Sequence, residues 1–460
     1  MATACNQLRC RGGQCARRSG SKISLSLIRR GPILTDDIIL PPRRTPFVGI
    51  VNRVIGAGWK TGLMKPPTLD KAELMERMAE RNGLDDYGER WFEGPMEVMI
   101  DALKSEARLN TAGRFIAQMQ FQKVLQDRLW AHDWFARYPE ILARPIKKPV
   151  VIVGPMRSGT TRMHRLLASD RRFTHMRSFE TISPVPRPGF DEGVEDIRPT
   201  LAARAMKVAR LANPRALNIH PTGPMEPEEE LGLLVASMWG MKHEAQWMIP
   251  SYGRWCEAQD ATPAYCYLAD LLRLIGWSQQ ASSIRPWILK TPQHMLDLPA
   301  LLTVFPDARL IFTHRDPNAV VGSAASLAWN QTMLYSDEAK PDEVGREWLH
   351  KTSLQIARMR AARDSIPRER MIDVQYEEME RDWRGTMARV YDFLGFDIEP
   401  ALPGMEAYLA RSASLKRHPH RYSLEEFGLS AAQVHDQLGD YVRTYGIPLE
   451  NRGGARVASG

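Results

Sequence analysis

The chain has 460 residues, 43 % of them hydrophobic and 25 % charged, a composition that excludes a wholly disordered or membrane-embedded protein. The formal net charge of +8 gathers at one end: residues 1–44 hold nine Lys or Arg against two Asp, whereas the remainder balances 53 basic against 52 acidic residues. A balanced body presents no continuous basic face, which argues against nucleic acid as a partner.

Residues 1–60 read as a basic, poorly ordered tail whose Arg- and Ser-rich, acid-poor start also describes a transit peptide. Cys5, Cys10 and Cys15 are spaced by five, with no histidine among them, and fit no zinc pattern. With Cys256 and Cys266 the cysteine count is odd, which points to a reducing, cytoplasmic setting. No apolar run reaches the roughly 18 residues a spanning helix needs. Phe47 to Trp59 (FVGIVNRVIGAGW) is apolar but short and broken by Asn52 and Arg53. It suits a peripheral membrane contact or packing on the body, and packing is the simpler expectation.

Residues 61–146 form a helical region, with apolar positions three and four apart in Pro95 to Ala107 and Phe115 to Trp134, closed by Pro139 and Pro145. Val150 to Val153 is then a β-branched run that meets a glycine turn, with helical sequence over Thr161 to Ala168. Further strands are expected at Trp287 to Lys290, Arg309 to Thr313 and Met371 to Val374, each followed by helical sequence. That alternation predicts an α/β fold, a P-loop-like parallel sheet flanked by helices, over residues 147–400. A long, mostly helical insertion at 183–285, rich in Pro, Met and Trp and helical in its middle at Glu228 to Trp239, is expected to shape an acceptor site. Residues 401–460 supply a basic loop and a last helix around Ala431 to Tyr445.

The chemistry concentrates in two places. Residues 150–161, VVIVGPMRSGTT, put Gly154 and Gly159 in a turn between a buried strand and a helix start, where backbone N–H groups and the helix dipole favour an anion. Ser158, Thr160 and Thr161 add hydroxyls, and Arg157 adds a fixed charge. A nucleotide-hydrolysing loop has Gly-Lys-Ser/Thr, its Lys reaching the terminal phosphates and its hydroxyl binding magnesium. Here Thr160 follows Gly159 and the charge has moved to Arg157, which suits a less charged terminal group and no metal. The second place is RLIFTHRDPNAVVGSAASL, residues 309–327, with Arg315 at a strand end and Ser323 eight residues on, both able to converge on one phosphate.

PMRSGTT resembles the 5'-phosphosulfate loop of the sulfotransferases, usually Pro-Lys/Arg-Ser-Gly-Thr-Thr, and Arg315 with Ser323 is similar to their 3'-phosphate motif. The resemblance covers most of the chain after Leu69, although only the two loops are specific. It implies a sulfotransferase that takes 3'-phosphoadenosine 5'-phosphosulfate (PAPS) as donor and sulfates a hydroxyl of a small-molecule, lipid or carbohydrate acceptor. Arg157, Ser158, Gly159, Thr160 and Thr161 would hold the phosphosulfate, and Arg315 and Ser323 the 3'-phosphate. Glu180, in FTHMRSFETISP, resembles the glutamate beyond the loop helix in carboxylate-using sulfotransferases and is the expected general base. Lys290, in WILKTPQHMLDLP, resembles the Lys of the bacterial Lys-Ser/Thr-Pro-x-His segment and would neutralise sulfuryl or leaving-group charge, with His294 as rival base.

Weaker candidates are His220 and Glu226 in HPTGPMEPEEE, where an acidic helix start equally explains the glutamates, and Lys416, Arg417 and His420 in a closing basic loop. A metabolite kinase and a non-catalytic nucleotide-binding protein are the competing functions; the missing loop lysine disfavours the kinase. Twelve Trp and 22 Met, many in the insertion, suit an apolar acceptor or large core side chains alike.

Overall fold

The computed structural model describes residues 44–214, 222–414 and 422–450; Cys5, Cys10, Cys15, His220, Lys416, Arg417 and His420 lie outside them. Four helices open the described chain: α1 (Pro46–Lys60), α2 (Lys71–Asn82), α3 (Glu93–Ser105) and α4 (Thr111–Arg137). Their starts follow local chemistry. The Asp70 carboxylate accepts from Glu73 N at 2.9 Å ahead of α2, and Asn110 Oδ1 accepts from Gly113 N at 2.8 Å ahead of α4, each satisfying an N–H that the helix itself leaves unpaired. Gly113 also permits a close crossing, since a Cβ there would lie 2.3 Å from Tyr335 O.

Next come β1 (Val150–Val153), α5 (Thr160–Ala168), then α6 (Arg198–Ala212), α7 (Leu231–Val235), α8 (Met241–Gln246) and α9 (Thr262–Ser278) of the insertion. β2 (Ile288–Lys290), β3 (Arg309–His314), α10 (Pro317–Tyr335), α11 (Pro341–Arg363), β4 (Met371–Gln375) and α12 (Ala431–Tyr445) complete the elements used below. The strands form one parallel sheet in the order β2-β1-β3-β4. Alternate residues feed two cores: Val151, Val153, Leu310 and Phe312 pack on one face, and Val150, Ile152, Ile311 and Val374 on the other. Burial of both faces explains why β1 reads as an unbroken apolar run rather than an alternating one.

The chain leaves β1 for β2 on one side and returns to β3 on the other, so the carboxyl ends of β1 and β3 flank a topological switch point, where ligands of open α/β sheets bind. The expected helix over Glu228 to Trp239 shrinks to Leu231–Val235. Gly232 is pressed onto Thr181, where a Cβ would stand 2.1 Å from Thr181 O, and left-handed backbone at Met238 (φ 53°) and Gly240 (φ 109°) turns the chain out of the helix. Tertiary contact overrides a favourable helical sequence here.

Candidate active site

The loop after β1 depends on two glycines. A Cβ on Gly154 would fall 1.9 Å from Thr313 Oγ1 of the neighbouring β3, so only glycine lets the chain turn there. Gly159 has φ 85° and caps α5 without a side-chain hydrogen bond to the first-turn N–H groups of that helix. Gly159, Thr160 and Thr161 line a large cavity, and the site they form is suited to an anion. Arg157, also on the cavity wall, is held at φ 69°, a left-handed conformation that non-glycine residues adopt at a cost and that clusters at functional sites. Ser158 is placed differently from its neighbours: its hydroxyl donates to Pro155 O at 2.7 Å and lies 2.7 Å from Thr313 Oγ1, a brace inside the loop.

Arg315, at the end of β3, is buried. Its Nη1 donates to Arg157 O at 2.6 Å, its Nε donates to Glu450 Oε1 at 2.8 Å, and its guanidinium stacks 3.8 Å from the centre of the Tyr376 ring. Tyr376 also backs Gly159, so one aromatic ring supports both the loop and the arginine. Ser323, two turns into α10, is fully buried, its Oγ beside the Tyr422 phenol. Tyr422 stands among Ser323, Arg315 and Arg157, its own phenol donating to Ala319 O at 3.0 Å. The structure therefore gathers the two anion motifs on adjacent strand ends.

The residues expected to do chemistry separate into those that face the cavity and those that do not. Lys290 ends β2, pairs with Glu229, and its Nζ donates to Thr161 Oγ1 at 3.3 Å. Glu229 and Thr161 both line the cavity. Glu180 is fully buried: one oxygen accepts from Arg177 N at 2.7 Å, Gln279 Nε2 donates to both oxygens at 2.9–3.0 Å, and the Arg177 guanidinium pairs with it as well. His294 is equally buried, Nδ1 lying 2.8 Å from Tyr265 OH and Nε2 paired with Glu230. Glu230 in turn accepts from Lys290 N at 2.9 Å, which ties His294 to the backbone that carries Lys290. Burial, reinforced by Lys290, holds His164 on α5 well below the ordinary imidazole range and keeps it uncharged.

Glu229 is the residue that sequence reasoning passed over. Its signal was present in the run Glu228 to Glu230, but Glu226 was singled out there instead, and Glu226 supplies its backbone carbonyl to Ser178 N at 2.9 Å.

The cavity encloses about 1460 Å³. Away from the anion loop it is walled by apolar side chains, among them Ile116, Met119, Met206, Leu231, Val235 and Leu327. The tryptophans divide: Trp134, Trp239 and Trp247 are core, whereas Trp348 lines the cavity. Lys242 is exposed to the cavity it lines, where desolvation by the crowded wall pushes its ammonium down to about 8, with Lys123 adding to the shift.

A model of the Sulfotransferase family matches residues 149–400. Omega-hydroxy-beta-dihydromenaquinone-9 sulfotransferase Stf3 of Mycobacterium tuberculosis and that of Mycobacterium bovis are each 26 % identical over 345 residues, 72 % of this chain and 82 % of theirs. Among solved structures, sulfotransferase STF1 from Mycobacterium tuberculosis is similar with a TM-score of 0.71 and 28 % identity, covering 81 % of this chain and 98 % of its own. Sulfotransferase STF9 from Mycobacterium avium gives 0.74 and 25 %, covering 83 % and 98 %. The family match begins one residue before β1 and carries through β4, more than half of the chain, and so this protein belongs to the sulfotransferase family and transfers a sulfuryl group to a hydroxyl.

Proposed function

We propose that the donor is PAPS and that the acceptor is an apolar, lipid-like molecule presenting a hydroxyl. One observation carries this reading: the anion loop and Glu229, the partner of the buried Lys290, open on the same cavity, whose remaining wall is largely apolar. The chain's own features fit a donor with phosphate at both ends of a ribose. Gly154 and Gly159 let the loop turn tightly against Thr313 and Tyr376 with Gly159 on the cavity wall, and Ser323 sets a fully buried hydroxyl beside Tyr422, which also faces Arg315. The relatives named for a hydroxylated menaquinone derivative support the acceptor class.

In this reading PAPS supplies the activated sulfuryl group. The first-turn N–H groups of α5, Thr160, Thr161 and Arg157 hold the 5'-phosphosulfate, and Arg315 with Ser323 takes the 3'-phosphate. Lys290 offsets negative charge that grows during transfer, as cationic donors do for phosphoryl groups. Glu229 takes the acceptor proton; Glu180 and His294 position, the first by bracing the chain before the insertion and the second by fixing Glu230. The donor-binding residues lie within residues 147–400, and the insertion at 183–285 forms much of the acceptor wall.

Two measurements test it. Adenosine 3',5'-bisphosphate at 100 times its Kd should stabilise the protein by roughly 2.7 kcal/mol, and Arg157→Ala should lose most of that; stabilisation by Mg-ATP alone would overturn the donor assignment. Glu229→Gln should lower kcat about 100-fold or more with bisphosphate binding intact, the usual range for removing a general base. Glu180→Gln should instead lower Tm; a kcat loss confined to Glu180→Gln, with Glu229→Gln near wild type, would return the base to Glu180.

A further inference from the structure

α1 packs on the body through one face only. Val48 is buried, Asn52 Oδ1 accepts from Ala112 N at 2.8 Å to tie the helix to α4, and Thr45 Oγ1 donates to Leu211 O and Ala212 O at 3.3 and 3.1 Å to tie it to the end of α6. The opposite face is apolar and open. Ile50 is 56 % exposed and Val54 64 %, on one stripe with Phe47, and Leu63 just beyond the helix reaches 84 %. α6 continues the surface with Val208 at 56 % and Leu211 at 59 %. Such side chains gathered on two neighbouring helices form a patch of the kind that marks a binding surface.

The exposed charges that α1, the segment just after it and α6 carry have one sign. Arg53, Lys60 and Lys65 lie in or just after α1, and Arg204, Lys207 and Arg210 lie on α6; all six are exposed, and none forms an ion pair among the described residues. No acidic residue occurs between Arg44 and Leu69 or within α6. At 100° per residue, Arg53 and Lys60 edge one side of the Phe47–Ile50–Val54 stripe, and Arg204 and Lys207 lie beside Val208 and Leu211. An apolar stripe edged by cations is the pattern of a helix that lies in a lipid interface, its hydrocarbon among acyl chains and its ammonium or guanidinium groups among anionic headgroups. A second copy of the chain is a poor occupant, because a two-fold contact would set these cations against themselves.

We propose that the outer faces of α1 and α6 dock on an anionic lipid bilayer. α6 also carries Met206 and Ala209 on the cavity wall, so the docked helix stands between the bilayer and the cavity. A lipid acceptor would then enter alongside it, a consequence that rests on the acceptor proposed above; the docking itself does not.

The test is flotation of the full chain with vesicles of phosphatidylcholine alone and of phosphatidylcholine with 30 % phosphatidylglycerol. The anionic vesicles should bind at least tenfold more protein, and both Ile50→Glu/Val54→Glu and Arg204→Glu/Lys207→Glu should lose that excess. Thermal stabilisation by adenosine 3',5'-bisphosphate should be unchanged in both variants, which shows them folded and keeps a failed docking distinct from a failed donor assignment. The basic residues before Arg44 are intact in each variant, so anionic-vesicle binding retained at wild-type strength by both would overturn the proposal. So would equal binding to both vesicle types, or a wild-type dimer in sedimentation velocity that the Glu variants dissolve.

Discussion

Arg315 meets a carboxylate, Glu450, where the proposed donor would bring a phosphate. The surroundings are already rich in acid: burial raises the Glu377 carboxyl, Glu450 and Asp316 push it the same way, and Arg315 opposes them. Glu450 must yield Arg315 Nε before a phosphate can take it, so Glu450→Gln should tighten adenosine 3',5'-bisphosphate binding. Charge-assisted hydrogen bonds are worth about 1.5–3 kcal/mol when buried, and Glu450 is partly open to solvent, so an improvement of roughly three- to tenfold in Kd is expected by calorimetry. Weaker binding would mean that Glu450 instead aims the arginine. Lys242 gives a different signature. Its ammonium is lowered from the usual 10.5 to about 8, so between those values the unfolded chain binds the proton that the folded chain has lost. Stability should therefore rise with pH across that window, and Lys242→Met should remove the rise and increase Tm at pH 7. A Tm difference between the two proteins that stays constant from pH 7 to 10.5 would show that Lys242 is not held in this way.

Among elements, β1 with its loop and α5 was the most legible because its information is local: an apolar run, glycines where the chain must turn, and helical sequence behind. The structure places β1 at Val150–Val153 and starts α5 at Thr160. The same locality makes the loop testable. Gly159→Ala places a side chain at φ 85° with its Cβ 3.0 Å from the Tyr376 ring, so it should cost about 1–2 kcal/mol in urea unfolding and also weaken donor-analogue binding. Gly395 is the control. At φ 75° with open space around its Cβ position, Gly395→Ala should cost a similar backbone energy and leave binding unchanged. Equal binding by both variants would mean that the geometry of Gly159 does not matter to the ligand. The stretch from Glu228 to Trp239 was less legible. Its helix is short because Gly232 abuts Thr181 and Glu230 is claimed by Lys290 N and His294, partners about sixty positions along the chain. Glu229 reaches Lys290 by the same tertiary route, and for that reason a motif-based reading favoured Glu180, whose oxygens the fold consumes in Arg177 and Gln279.

At the scale of the molecule, the sheet positions the donor motifs, while α4, α6, α7, α8 and α10 wall the cavity that decides what reaches them. Composition could not show this division, because methionine and tryptophan count alike in a sequence. In the fold Trp134, Trp239 and Trp247 are core while Trp348 lines the cavity, and Met96, Met99 and Met295 are core while Met119, Met156, Met206 and Met241 line it, where flexible thioethers tolerate acceptors of varied shape. A cavity of about 1460 Å³ with such walls should reward hydrocarbon. Each methylene moved from water into it contributes about 0.8 kcal/mol, or roughly fourfold in kcat/KM, so a series of straight-chain alcohols should gain at about that rate per carbon until the chain outgrows the cavity. The gain should appear mainly in KM, because the added contacts are the same in the ground and transition states. Replacing Met206 by Asp should flatten the series without altering bisphosphate binding. A wild-type series that is already flat, with hydrophilic sugars sulfated as well as long alcohols, would show that the apolar wall does not select the acceptor.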